Sequence, residues 1–200
     1  MILNKTILID CDGVLLNWID SFIVWMSGKG YPTYDEHFGD YGLHNWFQLS
    51  EEKINELVLQ FNESVEIGFL NPLPGAIEYV SKLVNDGYRF VVITSMTDNP
   101  YSRNLRSWNL VRVFGDVFDD LICLPLRKCK KEELAKLKAM FGPSVKTIWI
   151  DDHIYNAEVG QELGFETIVF GALHNKNWSG KRANSWMDLY IKIKEIEANV

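Results

Sequence analysis

The chain opens with a short apolar segment that ends at two carboxylates. Residues Thr6 to Ile9 are apolar or β-branched, which predicts a buried strand, and Asp10 and Asp12 follow it. Two neighbouring negative charges at a buried strand end are costly unless a cation offsets them. At Gly13 the backbone must turn sharply or let a ligand approach closely. The pattern predicts a divalent cation, with Mg²⁺ favoured, at the carboxyl end of this strand; an ordinary Asp-Gly turn is the alternative.

Apolar strands alternate with helical periodicity along the rest of the chain. The pattern predicts strands at about 88–93, 121–124, 147–150 and 167–170, and helices at about 14–26, 50–62, 76–84, 101–113, 131–141, 156–163 and 186–197. This alternation is typical of βαβ units, so we predict an α/β, Rossmann-like fold with three layers and a parallel sheet. Right-handed crossovers place all carboxyl strand ends on one edge. Polar residues occupy three of these ends: Asp10 and Asp12, Thr94 and Ser95, and Asp151 and Asp152.

The segment 31–49 differs from the rest because it is rich in aromatic residues and has no sustained period. We predict that residues 15–72 contain an insertion and that residues 1–14 and 73–200 form the α/β core; the family resemblance of the motifs given below implies that this insertion is a small helical cap. The proline-rich run Asn71 to Gly75 marks the return to the core. The aromatic residues of the cap can stack on a nucleobase or form the cap's own core, and both interpretations stay open.

Composition narrows the functional classes. Two hundred residues with 47% hydrophobic content are enough for one well-packed domain. Twenty basic residues against 27 acidic ones give a net charge of -7, which argues against binding a nucleic acid polymer or an anionic membrane. A small phosphorylated substrate is compatible with this charge. Three cysteines without C-x-x-C spacing, and an N-terminal apolar run too short for a signal peptide or membrane span, favour a cytoplasmic protein with reduced thiols.

The strand-end motifs resemble, in order, the four motifs of the haloacid dehalogenase (HAD) superfamily of phosphohydrolases. These are Asp10-Cys11-Asp12-Gly13-Val14, Thr94-Ser95, a basic residue after the next strand, and Asp151-Asp152 with Asn156. Further segments resemble the 5'(3')-deoxyribonucleotidases of that superfamily, and the resemblance covers nearly the whole chain. They are Gly68 to Ala76, Asn99-Pro100-Tyr101, His174-Asn175 and Ser185-Trp186.

The resemblance implies a magnesium-dependent phosphomonoesterase that hydrolyses a nucleoside monophosphate. Asp10 is the expected nucleophile, which forms an aspartyl-phosphate, and Asp12 is the expected acid and base. Thr94 is expected to bind phosphate oxygens. Mg²⁺ is expected to be held by Asp10, the backbone carbonyl of Asp12 and Asp152, with Asp151 beside them.

The resemblance also implies a phosphate-neutralising lysine shortly after the third strand. Alignment favours Lys128, with Lys130 as the alternative at a helix start. Both lysines also fit a solvated, basic helix end. Arg103 lies where the family tends to carry another basic residue, and it is a candidate for substrate binding.

The remaining candidates for substrate binding are Ser95, Trp18, Trp46 and Phe47. Trp18 occupies the family's aromatic position after the first motif. Segment 31–47 matches the nucleotidases only loosely, so two other functional classes stay open. One is a different HAD reaction, such as sugar-phosphate hydrolysis or dehalogenation. The other is a non-catalytic protein that binds a nucleotide through its aromatic cap.

Overall fold

The computed structural model describes residues 2–142 and 145–199. Its six strands are β1 (Ile2–Ile9), β2 (Arg89–Ser95), β3 (Phe118–Leu124), β4 (Val145–Asp151), β5 (Glu166–Phe170) and β6 (Arg182–Ala183). Its eight α-helices are α1 (Trp18–Gly28), α2 (Leu43–Phe47), α3 (Glu51–Asn62), α4 (Ala76–Asn85), α5 (Pro100–Phe114), α6 (Lys131–Phe141), α7 (Ile154–Glu162) and α8 (Trp186–Ala198). Short 3₁₀ helices lie at Asp35–His37, Val65–Gly68 and Leu173–Asn175.

The strands form one sheet in the order β3-β2-β1-β4-β5-β6, and every neighbouring pair is parallel. The α/β, Rossmann-like prediction is therefore confirmed. The strand order reverses between β1 and β4, and ligands of open α/β sheets bind at the carboxyl ends of the strands at such a point. The carboxylates of the first and fourth motifs lie there.

Both faces of the sheet are buried. Alternate residues of the central strands, such as Leu8, Ile93 and Trp149, pack with α6 and α7 on one face. The other face joins a larger apolar core that includes residues of α4, α5 and α8 and also Phe22 and Phe61 from the helices between β1 and β2. A sheet covered on both faces explains why its strands are apolar runs without polar alternation.

The region that contains α1, α2 and α3 is connected to the core through two adjacent segments. Leu16 and Pro72 form an antiparallel bridge, the Leu73 amide donates to the Leu15 carbonyl at 2.9 Å, and the Asn17 amide donates to the Asn71 carbonyl at 2.8 Å. The predicted boundaries at 14/15 and 72/73 fall at this pair of segments. The division into core and cap stays a prediction.

Most predicted elements are present, with shifted ends. The helix expected from Val14 begins at Trp18 because the amides of Leu15 and Leu16 both donate to the Cys11 carbonyl in a tight turn. The predicted N-cap of α3 is confirmed, since the Ser50 hydroxyl accepts from the Lys53 amide. Strand β6 was not predicted, because two residues carry no periodicity. In the described part of the chain, no helix is both long enough and apolar enough to cross a membrane.

Candidate active site

Three carboxylates meet at the carboxyl ends of β1 and β4. Each of Asp10, Asp151 and Asp152 offers one oxygen, and these oxygens all lie within 4.8 Å of one another. Asp10 follows β1, and its amide donates to the Ile150 carbonyl of the neighbouring strand at 2.8 Å. Parallel pairing of β1 with β4 thus brings together motifs that are some 140 residues apart in sequence.

Gly13 allows the first motif to come this close to the fourth. Its φ is +80°, and a Cβ atom at this position would lie 2.6 Å from Asp152 Oδ2. Only glycine meets both conditions without strain. The expectation of a sharp turn at Gly13 is confirmed, and the group that approaches closely in the structure is the Asp152 carboxylate.

Lys130 supplies the cation of the cluster. Its Nζ lies 2.7 Å from Asp10 Oδ1 and 2.8 Å from Asp151 Oδ2, and only 2% of its side chain is exposed. Burial disfavours the charged form, but the Asp10 and Asp151 carboxylates raise the pKa of Lys130 above its ordinary value. The residue is therefore an ammonium group between two carboxylates.

This geometry corrects the choice of Lys128 as the phosphate-neutralising lysine. The Lys128 amine lies 3.4 Å from Glu132, and nearly half of its side chain is exposed. The Lys128 amide closes a turn onto the Pro125 carbonyl, and Arg127 has a positive φ of 60°. This turn directs Lys128 outward and the alternative, Lys130, into the cluster.

The residues present fit a divalent metal ion. When all three carboxylates are ionised, they and the ammonium leave a local charge of about -2, and carboxylate oxygens are the ligands that Mg²⁺ prefers. Burial raises the pKa of Asp10 to about 7, an effect that Lys130 opposes and Asp151 reinforces. Burial, Asp10 and Asp151 likewise raise the pKa of Asp152 well above its ordinary value. A bound cation would remove this crowding of negative charge.

Asp152 is fixed by the segment after β5. Asn175 donates through Nδ2 to the Asp152 carbonyl at 2.7 Å, and its side chain is fully buried. His174 Nε2 lies 3.1 Å from the same carbonyl and 3.5 Å from Asp152 Oδ2. Similarly, the buried Trp186 donates through Nε1 to the Val14 carbonyl at 2.9 Å. The late motif residues thus hold the two loops that carry the carboxylates.

The carboxylate of Asp12 lies apart from the cluster and pairs with Arg106. The distances are 2.5 Å between Arg106 Nη1 and Asp12 Oδ1, and 3.1 Å between Nη2 and Oδ2. Arg106 also donates to Cys11 Sγ at 3.1 Å and is fully buried. Burial disfavours its charged form, but Asp12 and Cys11 raise the pKa of Arg106 above its ordinary value.

Sequence reasoning missed Arg106, although a signal is present. Ser102, Arg106 and Asn109 are all fully buried, and they recur at the spacing of one helix face of α5. Because the buried face of α5 contains these polar residues, the hydrophobic periodicity of the helix is weak and does not indicate which residues are buried. The same spacing can be interpreted as a polar face of the helix that follows the second motif, and this interpretation identifies Arg106 as a buried candidate.

The second motif lies beside Asp12. Thr94 is 1% exposed, and its hydroxyl donates to Asp12 Oδ2 at 3.4 Å. The Ser95 hydroxyl donates to the Lys128 carbonyl at 2.8 Å, so it braces the loop that carries Lys130. A role of Ser95 in substrate binding stays a prediction.

The aromatic residues proposed for substrate binding pack mainly with one another. Phe47 is 3% exposed and packs edge-on against Phe22, which corrects its assignment as a substrate contact. Trp46 stacks on Phe38 and donates to the Asp40 carbonyl. Trp18 stacks on Phe22 at 4.7 Å. These contacts favour the interpretation that the aromatic residues form the cap's own core; substrate contact by Trp18 or Trp46 stays a prediction.

Tyr41 is the aromatic residue from this segment that reaches the carboxylate cluster. Its ring centroid lies 4.2 Å from that of His153, which follows Asp152, and 5.2 Å from that of His174. Its side chain remains largely exposed, at 62%. Nothing in the sequence distinguishes Tyr41 from its aromatic neighbours, because only the folded path of the segment brings it to the end of β4.

Arg103 lies outside the site. More than half of its side chain is exposed, and its guanidinium is 3.7 Å from Asp120 at the start of β3. It points from α5 toward solvent, three residues before the buried Arg106. The arginine of α5 that contacts the first motif is Arg106, and substrate contact by Arg103 stays a prediction that its position does not support.

Comparison with known proteins places this geometry in a familiar fold. No family model matches the sequence. The chain is 25% identical over 201 residues to an uncharacterized 32.4 kDa protein in the Gp30-rIII intergenic region of Enterobacteria phage T4, and the match covers 96% of this chain and 70% of that protein.

Solved structures match over nearly the whole chain. A predicted phosphatase from Clostridium acetobutylicum has a TM-score of 0.67 at 18% identity, covering 96% of this chain and 99% of that one. A haloacid dehalogenase-like hydrolase from Streptococcus pneumoniae has a TM-score of 0.66 at 15% identity, with 94% and 97% covered. A heptose bisphosphate phosphatase from B. bronchiseptica, complexed with magnesium and phosphate, has a TM-score of 0.62 at 12% identity, with 96% and 99% covered. The chain therefore has the fold of haloacid dehalogenase-like hydrolases.

Proposed function

We propose that this protein is a magnesium-dependent phosphomonoesterase that hydrolyses a nucleoside monophosphate through an aspartyl-phosphate on Asp10. The observation that carries the proposal is the contact of Asp10 with Lys130 inside a cluster of three carboxylates, at the point where the strand order reverses. Asp10 is 8% exposed, so a substrate can reach it only through the small part of its surface that is open at the strand ends.

Asp10 and Asp12 divide the reaction between them. In the first half, an Asp10 oxygen attacks phosphorus, the bond from phosphorus to the ester oxygen breaks, and Asp12 gives its proton to the departing alkoxide. In the second half, water attacks the aspartyl-phosphate, Asp12 accepts the water proton, and the bond to Asp10 breaks. Lys130 offsets the charge that the phosphoryl group brings to Asp10, and the Thr94 hydroxyl is placed to bind a phosphoryl oxygen.

Asp10, Asp152 and the backbone carbonyl of Asp12 would hold the magnesium ion, with Asp151 beside them. When bound, Mg²⁺ supplies positive charge that allows an anionic carboxylate to approach an anionic phosphate. The oxygens of Asp151 already accept hydrogen bonds from Lys130, from the His153 amide at 2.7 Å and from Asn156 at 3.1 Å. These contacts hold Lys130 and the loop after β4 in place.

Proton transfer by Asp12 favours phosphate esters over carbon–halogen bonds. A departing halide needs no proton, whereas an alkoxide does. The nucleotide assignment is supported by the exposed Tyr41 ring, which stands beside His153 at the carboxylate cluster, because a flat aromatic ring offers a stacking surface to a base.

Replacing Asp10 with Asn tests the proposal. We expect phosphate release with Mg²⁺ to fall at least about 10³-fold, because an amide cannot act as the nucleophile. Mass spectrometry of wild-type protein quenched during turnover should locate phosphate on the peptide that contains Asp10. Asp116→Asn, at an exposed position before β3, is the matched control and should keep full activity.

Turnover by Asp10→Asn equal to that of the wild type would overturn the mechanism. A panel of nucleoside monophosphates and sugar phosphates tests the substrate class separately. Higher kcat/KM for nucleotides is expected, and higher kcat/KM for sugar phosphates would overturn the nucleotide assignment alone. Tight nucleotide binding without any phosphate release would identify a binding protein instead.

A further inference from the structure

Arg106 is a fully buried cation whose contacts go to the first motif. Its two terminal nitrogens face the two oxygens of Asp12, at 2.5 and 3.1 Å, and Nη1 also contacts Cys11 Sγ. This two-point contact fixes the direction of the carboxylate as well as its position, which a lysine could not do. About a fifth of the Asp12 side chain remains exposed.

The helix that carries Arg106 is itself held in place. Asn109, one turn further along α5, is fully buried and donates to the Leu70 carbonyl at 3.0 Å, and Arg112 donates to the same carbonyl. Leu70 precedes the segment that returns to the core at Pro72. The guanidinium therefore extends from a fixed element, so it can impose its geometry on Asp12.

The position imposed on the Asp12 carboxylate is away from the other three carboxylates. The cluster of oxygens within 4.8 Å contains Asp10, Asp151 and Asp152, whereas the Asp12 carboxylate lies between Arg106 and Thr94. The Asp12 carboxylate is only two residues from Asp10 in sequence, so it could also contact a cation bound at the cluster. The contact with Arg106 instead holds it beside Thr94.

We propose that Arg106 is a positioning residue that holds the Asp12 carboxylate in place for proton transfer. This role rests on the proposed phosphomonoesterase function, and it makes a distinct kinetic prediction. Asp12 transfers a proton in both halves of the reaction when the leaving group is an alkoxide. When the leaving group is p-nitrophenolate, it departs as an anion, so only the attack of water on the aspartyl-phosphate needs Asp12.

Loss of Arg106 should therefore affect the two substrates differently. For an alkyl phosphate, Arg106→Gln should lower kcat and kcat/KM each about 100-fold, the size of effect expected when a catalytic group is misplaced by about 1 Å. For p-nitrophenyl phosphate, kcat should fall by a similar factor while kcat/KM stays near the wild-type value. A burst of p-nitrophenol, equal to one turnover of enzyme, should precede slow release.

Two further variants separate positioning from a structural role. Arg106→Lys keeps the buried charge but loses the two-point contact, so it should fold and recover only part of the activity. When Asp12 is already replaced by Asn, Arg106→Gln should cause little further loss of activity. This double variant removes both charged partners, so no buried charge is left unpaired. Arg89→Gln, at the opposite end of β2 in an exposed ion pair with Asp119, is the control and should match the wild type.

The outcomes distinguish this role from the proposed function. If the wild type releases no phosphate from any phosphomonoester with Mg²⁺, the proposed function fails, and the role of Arg106 fails with it. If the wild type is active but Arg106→Gln and Arg106→Lys lower kcat/KM equally for both substrates, or lower activity as much in the Asp12→Asn background, the positioning role alone is wrong. Full activity of Arg106→Gln would also overturn it.

Discussion

Lys130 balances two buried carboxylates at once. Its ammonium contacts Asp10 and Asp151 at 2.7 and 2.8 Å in a setting where water is nearly excluded. Breaking such a buried pair by removing one partner leaves an uncompensated charge, which is costly. The same ammonium is the nearest positive charge to the proposed nucleophile. A single side chain thus serves both the stability of the cluster and the approach of an anionic substrate.

Lys130→Met should abolish most phosphate release, because it removes the charge that offsets the phosphoryl group at Asp10. We expect kcat to fall about 10²–10³-fold, as for other buried electrostatic stabilisers. Phosphate release at saturating Mg²⁺ is the measurement, with thermal unfolding as a check on folding. Lys128→Met, two residues away and exposed, is the matched control and should stay near wild type. A larger loss in Lys128→Met than in Lys130→Met would contradict the assignment.

At the residue scale, the sequence predicts the carboxylates, but it favours Lys128 and Arg103, whereas the structure brings Lys130 and Arg106 to them. Asp10, Asp12 and Asp152 follow apolar strands, and Thr94 is the second-last residue of β2, so strand position alone places them at the carboxyl edge of the sheet. Lys128 and Lys130 both lie in the loop after β3, and only the turn geometry there decides which one points inward. Arg106 lies within a helix, where a charged residue is ordinarily interpreted as exposed.

At the scale of elements, the turn between β1 and α1 is the most constrained part of the fold. It carries Asp10 and Asp12, it leaves room for the Asp152 carboxylate beside Gly13, and it leads into the helix that begins at Trp18. Gly13 has a positive φ, and so does Gly30 after α1, at +84°. A Cβ at Gly30 would meet nothing within 4 Å, so the two glycines differ only in what surrounds them.

Gly13→Ala should therefore cost far more than Gly30→Ala. Both variants place a side chain in the left-handed region, at roughly 1–2 kcal/mol each. Only Gly13→Ala also pushes a Cβ against Asp152 Oδ2. We expect Gly30→Ala to lower Tm by a few degrees with full activity, and Gly13→Ala to lower Tm further and to weaken Mg²⁺ binding and phosphate release. Thermal unfolding with and without Mg²⁺ measures both effects, and equal behaviour of the two variants would contradict this account.

Element bounds were predictable wherever one physical signal dominated. The bounds of α6, Lys131–Phe141, are those expected from periodicity, and the strands extend the predicted runs by a few residues. The predicted bounds were wrong where local contacts, and not hydrophobic periodicity, determine where an element begins or ends. Residues 14–17 are held in a turn and beside the returning segment at Asn71 and Pro72, so α1 starts late. Strand β6 exists only because Arg182 and Ala183 lie along β5.

At the scale of the whole molecule, parallel pairing converts distant motifs into one site. The register places Ile9 beside Ile150 and, on the other side of β1, beside Val92, so the polar ends of three strands share an edge. The resulting cluster carries more negative than positive charge in a setting of low exposure. The stability of the chain should therefore depend on pH and on divalent cations together.

The sign of this dependence follows from the carboxyl pKa values. Asp10, with a pKa raised by burial to about 7, binds more protons in the folded state than in the unfolded state between about pH 4 and pH 7. Asp152 is shifted in the same direction. Without a divalent cation, the contribution of these groups to the free energy of unfolding is greatest below about pH 4 and is lost as pH rises toward 7.

Mg²⁺ should reverse this loss, because it binds the deprotonated carboxylates of the folded state alone. At a concentration of about 100 times Kd, one bound ion adds roughly 2.7 kcal/mol, which corresponds to about 5–10 °C in Tm for a chain of this size. We expect this shift at pH 7.5 and a much smaller one at pH 5, where protons compete with the metal. Thermal unfolding with MgCl₂ against NaCl of equal ionic strength measures it. Asp152→Asn should lose most of the shift, and an equal shift at both pH values would show that the carboxylate cluster is not where Mg²⁺ binds.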